Sequence, residues 1–293
     1  MATRSEIHFE LVELSGHVIA QGAWSATLRA DCLYRTARLA KPGHRCRLLQ
    51  GTQEIKPFTP LAALDLSLGT CIQVVWISSV VQGCGTAGAF AVIKNNGSVV
   101  TWGHPDMGGD SSSVAELLMT GVVQIVATDT AFAAIKDNGS VVTWGAWNRG
   151  GDSTAIATLL AEGVVQVCGN TGAFAARKSN GSVVTWGNDE EGGDSSKVVA
   201  TLLSDVVQVC GSGGAFAAIK SGGSVVTWGD DWGGDSSEVA ALLTEGVVQI
   251  CGGEMAFAAI KADGSVVSWG DSRYSGDSSA VASLLTEGVT AIF

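Results

Sequence analysis

The chain has 293 residues, of which 46% are hydrophobic and 15% are charged, and its formal net charge is −11. This composition is typical of a folded protein, and no run of about eighteen apolar residues is present that would span a membrane. Residues 1–77 carry eight Lys and Arg against six Asp and Glu, a net charge of +2, whereas residues 78–293 carry nine against twenty-two, a net charge of −13. An acidic surface repels phosphate backbones, so we do not expect the second part to bind nucleic acid.

The first part of the chain, residues 1–77, predicts a small domain of strands with one helix. Residues 7–24 indicate two strands joined by a tight turn. Residues 25–40 carry apolar side chains at helical spacing, and Lys41–Pro42–Gly43 ends that helix. Residues 46–77 then predict a short strand, a turn, a loop and a last strand.

This order of elements, with the segments RLLQGTQEI and TPLAALDLSLGTCIQVV, resembles the ubiquitin-like β-grasp fold over about residues 6–77. In that family a hydrophobic patch on the sheet binds partner domains. The resemblance places such a patch on Leu14, Leu49 and Val75, which are all apolar. Apolar residues on a sheet are also ordinary without any partner, and both interpretations stay open. The chain continues past this domain without a diglycine, so we do not expect it to be conjugated to other proteins.

The second part of the chain, residues 78–293, contains the sequence GSVVTWG or GSVVSWG five times, with the tryptophans 42, 42, 42 and 41 residues apart. A fixed period of this length is typical of propellers and solenoids. Each unit predicts three strands, of the types VVQVC, AFAAIK and SVVTWG, with a hairpin turn such as NNGS before the third. We expect the recurring Phe and Trp to be buried, and VTAIF at 289–293 to form a further first strand. The five repeats lie near 80–121, 122–163, 164–205, 206–246 and 247–293.

A variable segment follows each Trp-Gly and leads to GGDSS, or a near variant, and then to an apolar pattern. In the first repeat Val114, Leu117 and Leu118 have the spacing of one face of a short helix. The preceding aspartate is expected to cap this helix by accepting backbone N–H groups. Calcium binding is the alternative, but each loop offers one carboxylate where calcium needs several oxygen ligands. These aspartates are Asp110, Asp152, Asp194, Asp235 and Asp277.

This succession of motifs resembles the RCC1-like repeat superfamily, and in particular the compact blades of the β-lactamase inhibitory protein II type, over about residues 78–293. The resemblance implies a β-propeller-like repeat domain of five units, each with three strands and a short helix. Together with the first part it predicts a mainly β protein, with a ubiquitin-like β-grasp domain at 1–77 and the repeat domain at 78–293. Members usually close a ring of more blades, and we leave ring closure open.

No catalytic constellation can be assembled from the sequence. The four histidines, His8, His17, His44 and His104, do not recur with the repeat, so a His-dependent site per blade is absent. The seven cysteines contain no CxxC pair, which favours a reducing compartment, the cytoplasm or else the nucleus. We therefore predict no enzyme, no cofactor and no metal. Asn96, Asn138 and Asn180 each begin N-G-S, formally a glycosylation acceptor, and we interpret them as turn residues.

The variable segments after each Trp-Gly have the layout of a binding face, with changing loops on a repeated frame. They contribute residue types that dominate protein interfaces, although unselected loop tips are an equal alternative. We predict a non-enzymatic scaffold or adaptor for protein partners, acting alone or as a subunit of a larger assembly. The alternatives are a guanine-nucleotide exchange regulator of a small GTPase, an accessory adaptor in ubiquitin ligation, and an inhibitor of a hydrolase. The predicted interface residues are Trp147, Arg149, Trp232, Arg273 and Tyr274.

Overall fold

The computed structural model describes residues 6–40, 45–77 and 82–292, and every structural statement below concerns this part of the chain. The described residues form one five-stranded sheet and five three-stranded sheets, which confirms the predicted mainly β fold class. They divide into two compact units, the first with the five-stranded sheet and the second with most of the repeat region. The predicted helix end at 41–43, His44 and Phe293 lie outside the described residues. The domain boundary after residue 77 adjoins residues 78–81, also outside them, and stays a prediction.

The first unit contains a mixed sheet and one α-helix. Its strands run in the order β2-β1-β5-β3-β4, where the elements are β1 (Glu6–Glu13), β2 (Val18–Ser25), α1 (Asp31–Ala40), β3 (Arg45–Gln50), β4 (Gln53–Ile55) and β5 (Cys71–Ile77). β1 and β5 are parallel, and the other neighbouring pairs are antiparallel. Two short 3-10 helices, Leu61–Ala63 and Leu66–Leu68, precede β5.

The core of the first unit forms where α1 packs on one face of the sheet. Leu33 and Tyr34 of the helix share a buried cluster with Phe9 and Leu48 of the strands. These strand residues point inward because side chains alternate between the two faces of a sheet. The Tyr34 hydroxyl donates a hydrogen bond to the Ile55 carbonyl oxygen at 2.6 Å, which satisfies the polar end of a buried ring.

The second unit contains the repeats, and each described repeat forms one three-stranded sheet with its second strand in the middle. Val and Ile occupy the outer strands, as the pleated surface favours. Alternate Ala of the middle strand lie on one face, where Ala173 and Ala175 share a buried cluster with Phe216 of the next repeat. The strands are β6 (Gln82–Gly85), β7 (Ala89–Ile93) and β8 (Val99–Gly103); β9 (Val122–Ala127), β10 (Ala131–Lys136) and β11 (Val141–Gly145); β12 (Val164–Gly169), β13 (Ala173–Lys178) and β14 (Val183–Gly187); β15 (Val206–Gly211), β16 (Ala215–Lys220) and β17 (Val225–Gly229); β18 (Val247–Gly252), β19 (Ala256–Lys261) and β20 (Val266–Gly270).

Recurring aromatic residues join each repeat to the one before it. In the third repeat Phe174 stacks on Trp186, with ring centroids 5.2 Å apart. The Trp186 indole N–H also donates to the Gly150 carbonyl oxygen of the second repeat at 3.0 Å. The same bond to the preceding repeat recurs at Trp144, Trp228 and Trp269. All four indoles are at most 5% exposed, so the prediction that the recurring Trp is a buried packing residue is confirmed for these repeats.

The first repeat departs from this pattern. Trp102 is 48% exposed and its stacking partner Phe90 is 54% exposed, although their ring centroids are still 5.5 Å apart. The prediction that every recurring Phe and Trp is buried is therefore wrong for this repeat. The reason is that burial comes from a preceding repeat, and none of the same sequence type precedes the first one.

The segments after GGDSS form the predicted short helices, mostly of the 3-10 type, but without the apolar face that the spacing predicts. Leu118 is 2% exposed, but Leu117 is 53% exposed and Leu284 of the last repeat is 75% exposed. A 3-10 helix has three residues per turn, so the residues three and four positions after Val114 do not share one apolar face as they would in an α-helix. The segments are Ser112–Leu118, Thr154–Ile156, Ser196–Val198 (continued by α2, Val199–Leu202), Ser237–Leu242 and Ser279–Leu284.

The predicted capping by aspartate is confirmed in all five repeats. Each carboxylate accepts the backbone N–H two residues later at 2.8 or 2.9 Å, in Asp110, Asp152, Asp194, Asp235 and Asp277. The further strand predicted at 289–293 is not formed up to residue 292. The Val289 N–H nevertheless donates to the Gly264 carbonyl oxygen at 3.0 Å, as the first strands of earlier repeats do at the corresponding glycine.

Candidate binding surface on the loops between repeats

In four of the five described repeats the variable loop after Trp-Gly contains a short 3-10 turn, and in the fourth repeat it is a turn of another kind. The loops of the first four repeats are held against the next repeat. In the second repeat this turn, Trp147–Arg149, ends at Gly150, whose φ is 92°. A β-carbon at Gly150 would lie 2.5 Å from Cδ2 of Phe174 in the following repeat, so only glycine fits both the backbone angle and the space. The loops therefore have fixed positions on the repeat frame. The corresponding turns are Pro105–Met107, Asp189–Glu191 and Ser272–Tyr274.

Two of the predicted interface residues of the second repeat have different surroundings. Trp147 is 77% exposed and belongs to the solvent-facing side of its turn. Arg149 instead donates from Nη1 to both carboxylate oxygens of Glu191 in the next repeat, at 2.7 and 2.9 Å. This ion pair lies over Gly172, where a β-carbon would be 2.6 Å from Cδ of Arg149. Arg149 thus links two neighbouring loops rather than standing free.

The carboxylate of Glu191 is electrostatically unusual. Burial raises its pKa, and the neighbouring carboxylates of Asp129 and Asp230 raise it further, against the lowering effect of Arg149. The increase in the pKa of Glu191 from desolvation and from repulsion by like charges is therefore larger than the decrease caused by the partly exposed Arg149. This loop junction is an acidic environment in which Arg149 pairs with Glu191.

The structure brings the other three predicted interface residues together. The guanidinium of Arg273, in the fifth repeat, lies 5.3 Å from the ring centroid of Trp232, in the fourth, and 6.0 Å from that of Tyr274. Its Nη2 also donates to Oδ2 of Asp271 at 2.6 Å. The hydrogen bonds from Arg273 hold the pKa of Asp271 below its usual range. Trp232 remains 52% exposed and Tyr274 40% exposed, so this aromatic cluster presents contact area to a partner.

A cavity of about 660 Å³ lies beside this cluster, between the loops of the fourth and fifth repeats. Trp232 and Trp269 contribute its apolar wall, and several serine hydroxyls line the remainder. Among the described residues that line it there is no Lys or Arg. Its carboxylates come from Asp231, Asp235, Glu238, Asp271 and Asp277. An acidic, open cavity with an indole at its edge has the chemistry to hold a cationic side chain.

Sequence reasoning missed most of these acidic residues as part of a site. From the sequence we expect Asp235 and Asp277 to cap backbone N–H groups and to do nothing more. The signal that could have found them is the repeat alignment itself. Residues after Trp-Gly in one repeat and after GGD in its neighbour must lie side by side when repeats stack.

The patch predicted on the first unit lies on the sheet face opposite the core. Leu48 is buried, so its neighbour Leu49 points to the other face, and the pairing of Arg47 with Val75 places Val75 on that face too. Leu49 and Val75 are half-buried, and Leu14 is 69% exposed at the end of β1. All three positions are thus accessible to a partner.

The recurring cysteines are partly buried thiols at the ends of the first strands. Burial raises the pKa values of Cys84 and Cys168, and it raises that of Cys210 to about 11. A raised pKa keeps a thiol protonated and weakly reactive. Within the described ranges no cluster of His, Cys, Asp and Glu has the arrangement of a metal site, and no helix is long and apolar enough to cross a membrane.

Comparisons with known proteins place the chain among structures of low sequence identity. No protein-family model and no curated protein matches it significantly. Human WBSCR16 has 17% identity and a TM-score of 0.44, over 68% of this chain and 65% of that chain, so this chain spans less than two thirds of its length. Prp20p from Saccharomyces cerevisiae, a structure described with binding to Gsp1p and histones, has 19% identity and a TM-score of 0.45, over 84% of this chain and 70% of that chain. Yeast RCC1 (Prp20) bound by Kap60 has 18% identity and a TM-score of 0.46, over 86% of this chain and 70% of that chain.

Proposed function

We propose that this protein is a non-enzymatic interaction scaffold whose repeat loops bind a protein partner. The observation that carries the proposal is the cluster of Trp232, Arg273 and Tyr274 beside the acidic cavity. Tryptophan, tyrosine and arginine dominate binding energy in protein interfaces when they sit on a rigid frame. The stacked repeats supply that frame for Trp232, because a β-carbon at the following Gly233 would lie 3.3 Å from Phe257 of the next repeat. The last loop, with Arg273 and Tyr274, is held instead by the hydrogen bonds from Arg273 to Asp271.

The partner is a basic segment of a protein. The repeat region has a net charge of −13, and the cavity between the fourth and fifth repeats carries carboxylates without a lining Lys or Arg among its described residues. A Lys or Arg side chain that enters the cavity would meet these carboxylates, and its methylene groups would pack on Trp232. Opposite charges on the repeat region and its partner raise the association rate, and this rate falls as the salt concentration rises because salt screens the charges.

The first unit is, in the same proposal, a ubiquitin-like adaptor domain. Support comes from its sheet order, from the parallel pairing of β1 with β5, and from α1 following β2. Leu14, Leu49 and Val75 would form its docking patch. The double variant Leu49→Ala and Val75→Ala should abolish binding to ubiquitin-receptor domains while leaving the fold intact. If the unaltered protein shows no such binding at high concentration, the adaptor role is refuted.

The loop surface is tested with a triple variant, Trp232→Ala, Arg273→Ala and Tyr274→Ala. A partner recovered by affinity purification and mass spectrometry, together with synthetic Lys- and Arg-rich peptides, supplies the ligands. Trp232 and Tyr274, where they become buried, should contribute about 2 kcal/mol each to the binding free energy. Arg273 contributes by holding Asp271 and the Trp232 ring in place, since its charge does not attract a basic partner. Thermal melting should change little, because these side chains are largely exposed.

The matched control is Trp147→Ala, which removes an equally large exposed ring from a loop two repeats away. Retained binding in the triple variant, or equal loss in the control, would place the interface elsewhere and refute the assignment. A nucleotide-release assay on small GTPases distinguishes the scaffold from an exchange factor. The cytoplasm, where thiols such as Cys210 stay reduced, is the compartment that suits this proposal.

A further inference from the structure

The hairpin tips of the first three repeats share one tripeptide, Asn-Gly-Ser. Asn96, Asn138 and Asn180 are all exposed there. In the second repeat Oδ1 of Asn138 accepts two hydrogen bonds from Ser140, one from the backbone N–H at 3.0 Å and one from Oγ at 2.8 Å. The same pair of bonds, with distances between 2.7 and 3.0 Å, is present at Asn96 and Asn180.

This geometry activates the side-chain amide. Two donors on Oδ1 draw electron density from Cγ and stabilise the negative charge that develops on the oxygen when a nucleophile attacks. The nearest nucleophile is the backbone nitrogen of the following glycine, which carries no side chain of its own to hinder the attack. The asparagines are exposed, so a leaving ammonia is readily hydrated.

We propose that Asn96, Asn138 and Asn180 are sites of spontaneous deamidation, each activated by the serine two residues later. The glycine nitrogen bonds to Asn Cγ, the side-chain nitrogen leaves as ammonia with the proton that the glycine nitrogen gives up, and a five-membered succinimide results. Water then adds to one of the two ring carbonyls and yields aspartate or isoaspartate. Complete conversion changes the formal net charge from −11 to −14.

The fold accepts the aspartate product. The fifth repeat already has Asp263 at this position, and its carboxylate accepts Ser265 N–H and Oγ at 2.9 and 2.6 Å. These bonds hold the pKa of Asp263 below its usual range, so the charged form is stable in the turn. Isoaspartate, in contrast, adds a backbone atom to a hairpin loop whose length sets the strand register, and so it disturbs the sheet.

The fold also slows the reaction. The nitrogen that must attack, in Gly139, donates its N–H to the Lys136 carbonyl oxygen at 2.9 Å, and the Gly139 carbonyl oxygen accepts from Val164 at 2.9 Å. At the third tip, the space beside Gly181 is filled by the backbone of Asp205, 2.7 Å from a β-carbon position. These contacts restrain the glycine nitrogen while the serine still holds the asparagine, so the native rate is lower than that of the unfolded chain.

Peptide mapping by mass spectrometry, during incubation at mildly alkaline pH, follows each asparagine separately. We expect conversion at the three tips before Asn95 and Asn148, which are exposed but are not followed by glycine. In concentrated urea the tips should convert about tenfold faster or more, because the glycine nitrogen is no longer restrained by its backbone hydrogen bonds. Conversion at Asn148 or Asn95 that equals conversion at the tips would overturn the proposal.

The role of the serine is tested by Ser140→Ala, with the other two tips as internal controls. Loss of one donor should slow conversion of Asn138 roughly threefold to tenfold in the folded protein, while Asn96 and Asn180 keep their rates. In urea the difference should disappear, since the turn that aligns Ser140 is gone. An unchanged Asn138 rate in the folded variant would contradict activation by serine. Asn138→Asp places at this tip the residue that the fifth repeat has at Asp263, and this variant should have the same melting temperature as the unaltered protein.

Discussion

The burial of the recurring tryptophan by its neighbouring repeat can be measured with one pair of variants, Trp186→Ala and Trp102→Ala. Both indoles follow the same VVT sequence and stack on the phenylalanine of the middle strand, at 5.2 and 5.5 Å. They differ in burial, because Trp186 is 5% exposed and Trp102 is 48% exposed. Of these two tryptophans, Trp186 donates an indole hydrogen bond to the preceding repeat, and the described residues give Trp102 no such bond.

The magnitude follows from this difference in exposure. A tryptophan side chain buries about 200–250 Å², which at about 25 cal/mol per Å² corresponds to about 5–6 kcal/mol for complete burial. The difference between 48% and 5% exposure then corresponds to about 2 kcal/mol, and the indole hydrogen bond adds about 1 kcal/mol. We expect Trp186→Ala to lower the free energy of unfolding by about 3–5 kcal/mol and Trp102→Ala by about 3 kcal/mol less.

Urea unfolding followed by far-UV circular dichroism measures both variants without relying on tryptophan fluorescence. Trp186→Phe is a third variant, which keeps a ring and removes the indole N–H. It should lie between the unaltered protein and Trp186→Ala. Equal losses for Trp186→Ala and Trp102→Ala would refute the idea that each repeat is stabilised chiefly by the repeat before it.

Three further outcomes are expected. Gly150→Ala places a β-carbon 2.5 Å from Phe174, whereas Gly288→Ala also has a positive φ but meets nothing within 4 Å. Gly150→Ala should therefore lower the free energy of unfolding by roughly 1–3 kcal/mol more than Gly288→Ala. Equal losses in denaturant unfolding would show that φ strain alone matters. The pKa of Asp235 is lowered by hydrogen bonds from Ser237, so its stabilisation is present above the unfolded value of about 3.9 and is lost as pH falls through the lower folded value. Asp235→Asn should therefore flatten the acid limb of a stability-against-pH profile, and an unchanged limb would contradict the capping role. Cys210, with a pKa of about 11, should react with a thiol reagent at pH near 8 far more slowly than the exposed Cys71, and equal labelling would show that the strand end opens.

Much of the architecture could be predicted from local sequence because the repeat is written in residues with strong local preferences. Val-Val pairs, an Asn-Gly turn and alternating Ala-Phe-Ala specify strands and a hairpin without knowledge of their neighbours. Asp before Ser-Ser specifies a capped turn, and the hydrogen bonds of Asp110 and Asp277 confirm it. The helical face through Leu117 was mispredicted because a 3-10 turn differs from an α-helix by a fraction of a residue per turn, which apolar spacing over one short segment does not resolve.

The sequence by itself determined the repeat period, the strands of each repeat and the acidic character of the repeat region, since these depend on residue type and spacing within about forty residues. Only the tertiary structure decided which copy of a repeated residue is buried and which charges meet. Trp102 and Trp186 stand in the same motif, yet their exposure differs because one has a repeat before it and the other does not. Arg149 pairs with Glu191, 42 residues away, and Arg273 covers Trp232, because stacking brings different loops side by side. Contacts between repeats depend on three-dimensional neighbours, and those neighbours are set by packing rather than by local preference.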